Sequence, residues 1–272
     1  MELAKTKIDV GLSTNNLDPM LHFWQNDVGL RLDHVLPVRR GQKQYRHDAA
    51  GSVIKINHHI DQLPVAPPSG YRELIIARQD RTEPERLTDP DGNRTCLVPL
   101  GHEGINQIAV RLSVRNLEAH RRFYADALGL VEEAITGGAA FRAGESLIIL
   151  EERPDTPLDA GRHGTGWRYI TFQVFKVDEV HARTLAAGAR EGLATANLAF
   201  APSQATRLGR ECGAMLLLSK PTPSCAECDA PAKIQALFTR EVYCGRYCLT
   251  EGQLKYVRWV LRANAEAQHV GQ

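Results

Sequence analysis

Ile8-Asp9-Val10-Gly11-Leu12-Ser13 and, one hundred residues later, Ile108-Ala109-Val110-Arg111-Leu112-Ser113 decide the fold. In each stretch apolar residues alternate with others, the pattern of a strand whose two faces meet different surroundings. The similarity continues at the same offset: Asn16-Leu17 recurs as Asn116-Leu117, Phe23-Trp24 as Phe123-Tyr124, and Gly29-Leu30 as Gly129-Leu130. Between them Leu17, Met20, Leu21 and Trp24, and in the second copy Leu117, His120, Phe123, Tyr124 and Leu128, keep helical spacing. Asn16 and Asn116 are predicted to cap these helices. Gly29 and Gly129 are predicted to stop them, because glycine reaches the left-handed conformation at little cost.

Working outward, a weaker repeat relates Gly70-Tyr71-Arg72-Glu73-Leu74-Ile75 to Gly166-Trp167-Arg168-Tyr169-Ile170-Thr171. After the latter, Val177 to Arg183 reads as a helix running to Gly188. After the former, Arg78 to Thr88 is polar and carries Pro84, so that module is shortened. It ends in Asp89-Pro90-Asp91-Gly92-Asn93, a tight turn into the strand Thr95 to Val98. The order is module, short module, module, module. The expected division is a first domain over 1–100, a second over 101–220 and a Cys-rich helical tail over 221–272.

The chain of 272 residues carries a formal net charge of +1, which supplies no electrostatic reason for a nucleic-acid partner. No apolar run is long enough for a membrane span, and Met1 to Lys5 lacks the core of a secretory leader. The expectation is a cytoplasmic protein whose six cysteines are free thiols or metal ligands.

A strand, Asn-Leu, a helix bearing Phe-Trp or Phe-Tyr, Gly-Leu, and an Asp-Pro-Asp-Gly-Asn turn resemble the vicinal-oxygen-chelate superfamily of glyoxalases, bleomycin-resistance proteins and extradiol dioxygenases. The resemblance runs over roughly residues 6 to 220. It implies an α+β fold of tandem βαβββ modules forming two cup-shaped mixed sheets, here with a small Cys-rich appendage. It also implies an enzyme acting on a small oxygenated metabolite, aromatic or dicarbonyl, by isomerase, lyase or dioxygenase chemistry. The alternative it implies is a non-catalytic resistance-type protein that binds a small molecule in the same cup. A homodimer fits either. The cup usually holds a divalent metal, Zn, Fe, Mn or Ni, on His or Gln of a first strand and Glu of a last strand.

Those ligands are mostly missing. In the second half the positions fall on Gln107 or Ala109, Tyr169 and Leu217, which reads as a mainly structural or dimer-forming unit. The first half is more polar. Asp9, with Lys7 two residues earlier, opens its first strand, Glu73 opens the short module, and Cys96 takes the last-strand Glu position. Between them lie Tyr45, His47, Lys55, Asn57, His58 and His59. Tyr45 and His47 are two apart and are predicted to face the cup. One reading makes Asp9, Asn57, Glu73 and one or more of His47, His58 and His59 metal ligands. Another makes His47 and Glu73 an acid–base pair, with Lys55 holding an anionic group. A third leaves His58 and His59 solvated at a strand end and makes Asp9 a surface or capping residue.

The tail carries Cys225 and Cys228, fifteen residues, then Cys244 and Cys248. Two close pairs at this separation can place four thiolates around a structural zinc. The alternatives are four free thiols, with Cys244 and Cys248 on one face of a helix, and disulfides, which a reducing compartment disfavours. Leu254, Val257 and Leu261 follow at helical spacing.

Overall fold

The computed structural model describes residues 1–65, 70–156, 164–197, 214–218 and 233–238. The first module runs β1 (Asp9–Thr14), α1 (Leu17–His22), a π-helical turn (Phe23–Asp27), β2 (Arg31–Arg39), β3 (Gln42–Ala49) and β4 (Ser52–His59). The short module has three strands and no helix: β5 (Tyr71–Arg78), β6 (Glu85–Thr88) and β7 (Arg94–Pro99). The third repeats the first as β8 (Ile108–Val114), α2 (Leu117–Arg122), a π-helical turn (Phe123–Ala127), β9 (Val131–Glu133), β10 (Ala139–Ala143) and β11 (Ser146–Glu152). The fourth has β12 (Gly166–Val174), α3 (Val177–Ala186), β13 (Arg190–Asn197) and β14 (Ala214–Leu218), and β15 (Lys233–Phe238) follows. No described helix is long and apolar enough to cross a membrane.

The helix ends show the two copies diverging. Asn116 accepts a hydrogen bond from Ala119 N at 2.9 Å and caps α2. Asn16 makes no such bond to α1. Its own N–H donates instead to Thr14 Oγ1 at 2.8 Å, so the predicted cap is absent. Both helices widen before their glycines, with Val28 N bonding Phe23 O at 2.9 Å and Leu128 N bonding Phe123 O at 3.1 Å. Gly29 and Gly129 then take the left-handed conformation, at φ +74° and +67°.

The strands form two sheets, ordered β13-β15-β14-β12-β1-β4-β3-β2 and β6-β7-β5-β8-β11-β10-β9. This corrects the expected 1–100 and 101–220 division. The antiparallel seam of the first sheet joins β1 to β12, and that of the second joins β5 to β8. The first module therefore pairs with the fourth, and the short module with the third, all within one chain. The turn between β7 and β8 brings the middle modules together: Gly101 and Gly104 hold positive φ, and Gly101 N bonds Ile105 O at 2.9 Å. The tail expectation also changes, since Lys233–Phe238 is a strand beside β14 and β13.

The main core lies between the helices and one face of both sheets. Val10, Leu12, Ile54 and Ile56 enter it from the first sheet, and Leu74, Ile76, Val110, Leu112, Ile148 and Leu150 from the second. Trp24 meets Trp167 edge-on at 5.8 Å, and Tyr124 stacks on Phe141 at 5.3 Å. Where the sheets meet, Gln107 donates to Ala49 O at 2.9 Å and Ser52 Oγ at 2.8 Å, and accepts from Ser146 Oγ at 2.6 Å. Gln107 is thus an inter-sheet staple, not a ligand.

Candidate functional site

Because the even-numbered residues of β1 and β4 fill the core, the odd-numbered ones face away from it. Ala50 and Gly51 connect β3 to β4 with positive φ at both, the geometry of a tight hairpin, and fix its register. Arg46 then lies opposite Lys55, and Gln44 opposite Asn57. On the other side β1 contributes Asp9 and Gly11, paired with Thr171 and Tyr169 of β12. The result is a polar cup face built from the first and fourth modules.

Lys55 stands at its centre and is 2% exposed. Its Nζ lies 3.1 Å from Asp9 Oδ2 and donates to Thr171 Oγ1 at 3.1 Å. Asp9 also pairs with Lys5 and accepts from Val53 N at 2.9 Å. Asn57 Nδ2 donates to Leu12 O at 2.8 Å and to the Tyr169 hydroxyl at 3.0 Å. Gln44 Nε2 donates to Asn57 Oδ1 at 2.9 Å, and Arg46 Nη1 donates to Gln44 Oε1 at 2.8 Å. Lys5, Lys55 and Arg46 face the single carboxylate of Asp9.

These neighbours set the titrations. Burial alone would raise the Asp9 pKa, but the Lys55, Lys5 and Arg46 charges hold it well below the carboxylate range. Burial, helped by the Arg46 and Lys5 charges and opposed by Asp9, pushes Lys55 down to about 8. Burial pushes Tyr169 up to about 12, so its phenol stays protonated.

Several expected residues lie elsewhere. Tyr45 and His47 fall on the opposite face of β3. His47 is fully buried there, 3.3 Å from Gln25 of the π-helical turn, and burial pushes its pKa down to about 4. His58 shares the Ile54 and Ile56 face, whereas His59 is on the cup face and buried. Glu73 belongs to the second sheet, so neither the His47–Glu73 pair nor the Asp9–Asn57–Glu73 donor set is assembled. Glu73 faces Arg111 at 3.5 Å, and Arg111 also holds Glu151 at 2.7 Å. The rest of that face is apolar, with Ile75, Cys96, Ala109, Leu147 and Ile149 buried together. Leu217 lies opposite Thr171. Cys225, Cys228, Cys244 and Cys248, and the zinc expected on them, lie outside the described residues.

Arg46, Gln44, Lys5 and Thr171 are site residues that the sequence reading did not select. The signal for the first two was present. The apolar Ile54 and Ile56 put Lys55 and Asn57 on the cup face, and a two-residue turn at Ala50-Gly51 places Arg46 and Gln44 opposite them.

The donors do not fit a divalent metal. Among the described residues no group of three His, Cys, Asp or Glu side chains is gathered for one. The Asp9 carboxylate already holds two ammonium groups, and a dication beside it would meet three positive charges. Glu73 is likewise committed to a guanidinium.

Residues 104–192 match the model of the Glyoxalase/Bleomycin resistance protein/Dioxygenase superfamily. No curated protein sequence matches. Among solved structures, glyoxalase I from Zea mays aligns at a TM-score of 0.57 and 13% identity, over 86% of this chain and 92% of that one. Two variant structures of the same maize enzyme align at 0.54 and 12% identity, over 87% and 86% of this chain and 93% and 92% of theirs. At this identity the structural match speaks for the fold, and the match to the superfamily's model is carried by residues 104–192.

Proposed function

We propose that this chain is a vicinal-oxygen-chelate-type enzyme whose working site is the cup of the first sheet, acting on a small oxygenated metabolite by proton transfer of the isomerase or lyase kind. The observation that carries the reading is Lys55, buried between Asp9 and Thr171, with a pKa near 8. A lysine so poised exchanges protons near neutral pH, which an ordinary surface lysine does not. Its amine removes a proton from carbon next to a carbonyl, and the electron pair moves to the carbonyl oxygen. The Tyr169 hydroxyl donates to that oxygen, and the Lys55 ammonium returns a proton to the same carbon, so that its hydrogen exchanges or its configuration inverts. Dioxygenation needs an iron seat of three ligands, which the described residues do not supply.

A second reading keeps the cup and drops the chemistry: a small-molecule binder. It is favoured by the completeness of the Asp9–Lys55–Thr171 contacts, which leave Lys55 held rather than free. Proton–deuterium exchange by NMR over a panel of small α-hydroxycarbonyl and 2-oxo compounds separates the two. The enzyme reading expects exchange that Lys55→Met abolishes. Binding without exchange in the wild type supports the binder.

A further inference from the structure

Arg46 is 7% exposed, yet its guanidinium makes no ion pair with any described carboxylate. Nη1 is spent on Gln44, and the buried Nε meets no acceptor. Asp9, Tyr169 and Asp33 influence it only at a distance. Burying an uncompensated charge costs several kcal/mol. Moreover, Arg46 and Lys55 are direct cross-strand partners, and like charges placed directly opposite on antiparallel strands repel. Asp9 pairs directly with Lys55; no described carboxylate lies within ion-pair distance of Arg46.

The fold does not require this. In the third module the hairpin β10–β11 has the same register, and the pair corresponding to Arg46 and Lys55 is Ala140 opposite Ile149. Both are buried in an apolar cluster. The cationic pair is therefore particular to the first sheet.

We infer that the first cup is built to bind a small carboxylate, with Arg46 and Lys55 taking its oxygens, so that the metabolite is an organic acid anion of the 2-oxo or 2-hydroxy acid class. This rests on the proton-transfer reading for the reaction, but not for the binding. A guanidinium presents paired N–H groups in the plane a carboxylate accepts, and Nε is one of them. The Gln44–Asn57–Tyr169 chain fixes Arg46 on one side and leaves the Tyr169 hydroxyl as donor for the oxygen at the adjacent carbon.

Isothermal titration of the full chain with pyruvate, lactate and oxalate, against their neutral amides and against sulfate, tests this. The acids should bind, the amides should not, and sulfate should bind at least ~10-fold more weakly. Arg46→Gln should weaken the acids ~10-fold or more, the scale of one charge-assisted hydrogen bond. The ligand-free Arg46→Gln protein should melt no lower than wild type, since the variant removes an unpaired charge; this also shows that it folds. Equal binding of acids and amides, equal binding of sulfate, or unchanged binding by Arg46→Gln overturns the inference. Acid binding without proton exchange leaves the carboxylate site standing and removes the enzyme reading, whereas exchange on neutral carbonyl compounds alone does the reverse.

Discussion

The hydroxyl end of the Tyr169 ring occupies the space in which a side chain at residue 11 would stand: a Cβ on Gly11 would fall 2.1 Å from Tyr169 Cζ. The two are cross-strand partners on the seam between the first and fourth modules. Glycine here serves close approach. It lets the phenol reach Asn57 at 3.0 Å and Gln44 at 3.3 Å. Gly11→Ala should therefore displace the ring, break those bonds and cost about 2–4 kcal/mol. In a Tyr169→Ala background the same change should cost under about 1 kcal/mol. Urea unfolding of the four proteins gives the coupling, and additive costs would refute the contact.

The pH profile of proton exchange should report Lys55. Its pKa falls from 10.5 to about 8, so the amine becomes the major form above pH 8. Exchange should rise as pH increases through about 8 and then level. Lys55→Met should lose that limb altogether, whereas Arg46→Gln should keep it and move it upward, since removing a neighbouring positive charge eases protonation of Lys55. A profile centred near pH 10 would contradict the buried setting of this lysine.

The duplicated strand–helix–glycine pattern was legible because the core enforces it: Leu12 and Leu112, Trp24 and Tyr124 are fully buried in equivalent places. Which module pairs with which was not, since the open edge of β1 accepts β12 by register, and no local residue states a partner 160 residues away. The site suffered one parity error. Tyr45 and His47 were set on the cup face, yet their neighbours Gln44 and Arg46 hold it, and on a strand one residue reverses every side chain. Glu73 misled for another reason. A carboxylate opening an apolar strand does need a partner, but that partner is Arg111 of the next strand rather than substrate.

Gln107 ties the sheets through Ala49 O, Ser52 Oγ and Ser146 Oγ, all at buried positions. Gln107→Leu keeps much of the volume and removes those three buried hydrogen bonds. A loss of about 2–4 kcal/mol should follow in equilibrium unfolding, with no change in carboxylate affinity. A weakened affinity at unchanged stability would show instead that Gln107 reaches the cup.

Two buried histidines should dominate acid unfolding. Burial holds His47 and His120 at about 4, against 6.5 when exposed. Below pH 6.5 the unfolded chain takes up protons that the folded one refuses, so stability is full above 6.5 and falls as pH drops toward 4. Each contributes roughly 2 kcal/mol to the loss by pH 5. The repeat supplies replacements. His120 sits where the first copy has Met20, fully buried on α1, and His47 sits where the third module has Phe141 against Tyr124. His120→Met and His47→Phe should each flatten stability between pH 6.5 and 4 while leaving the Lys55 limb near pH 8 in place. Chemical denaturation at a series of pH values measures the slope, and a variant as acid-sensitive as wild type would show that its histidine is already protonated in the folded chain.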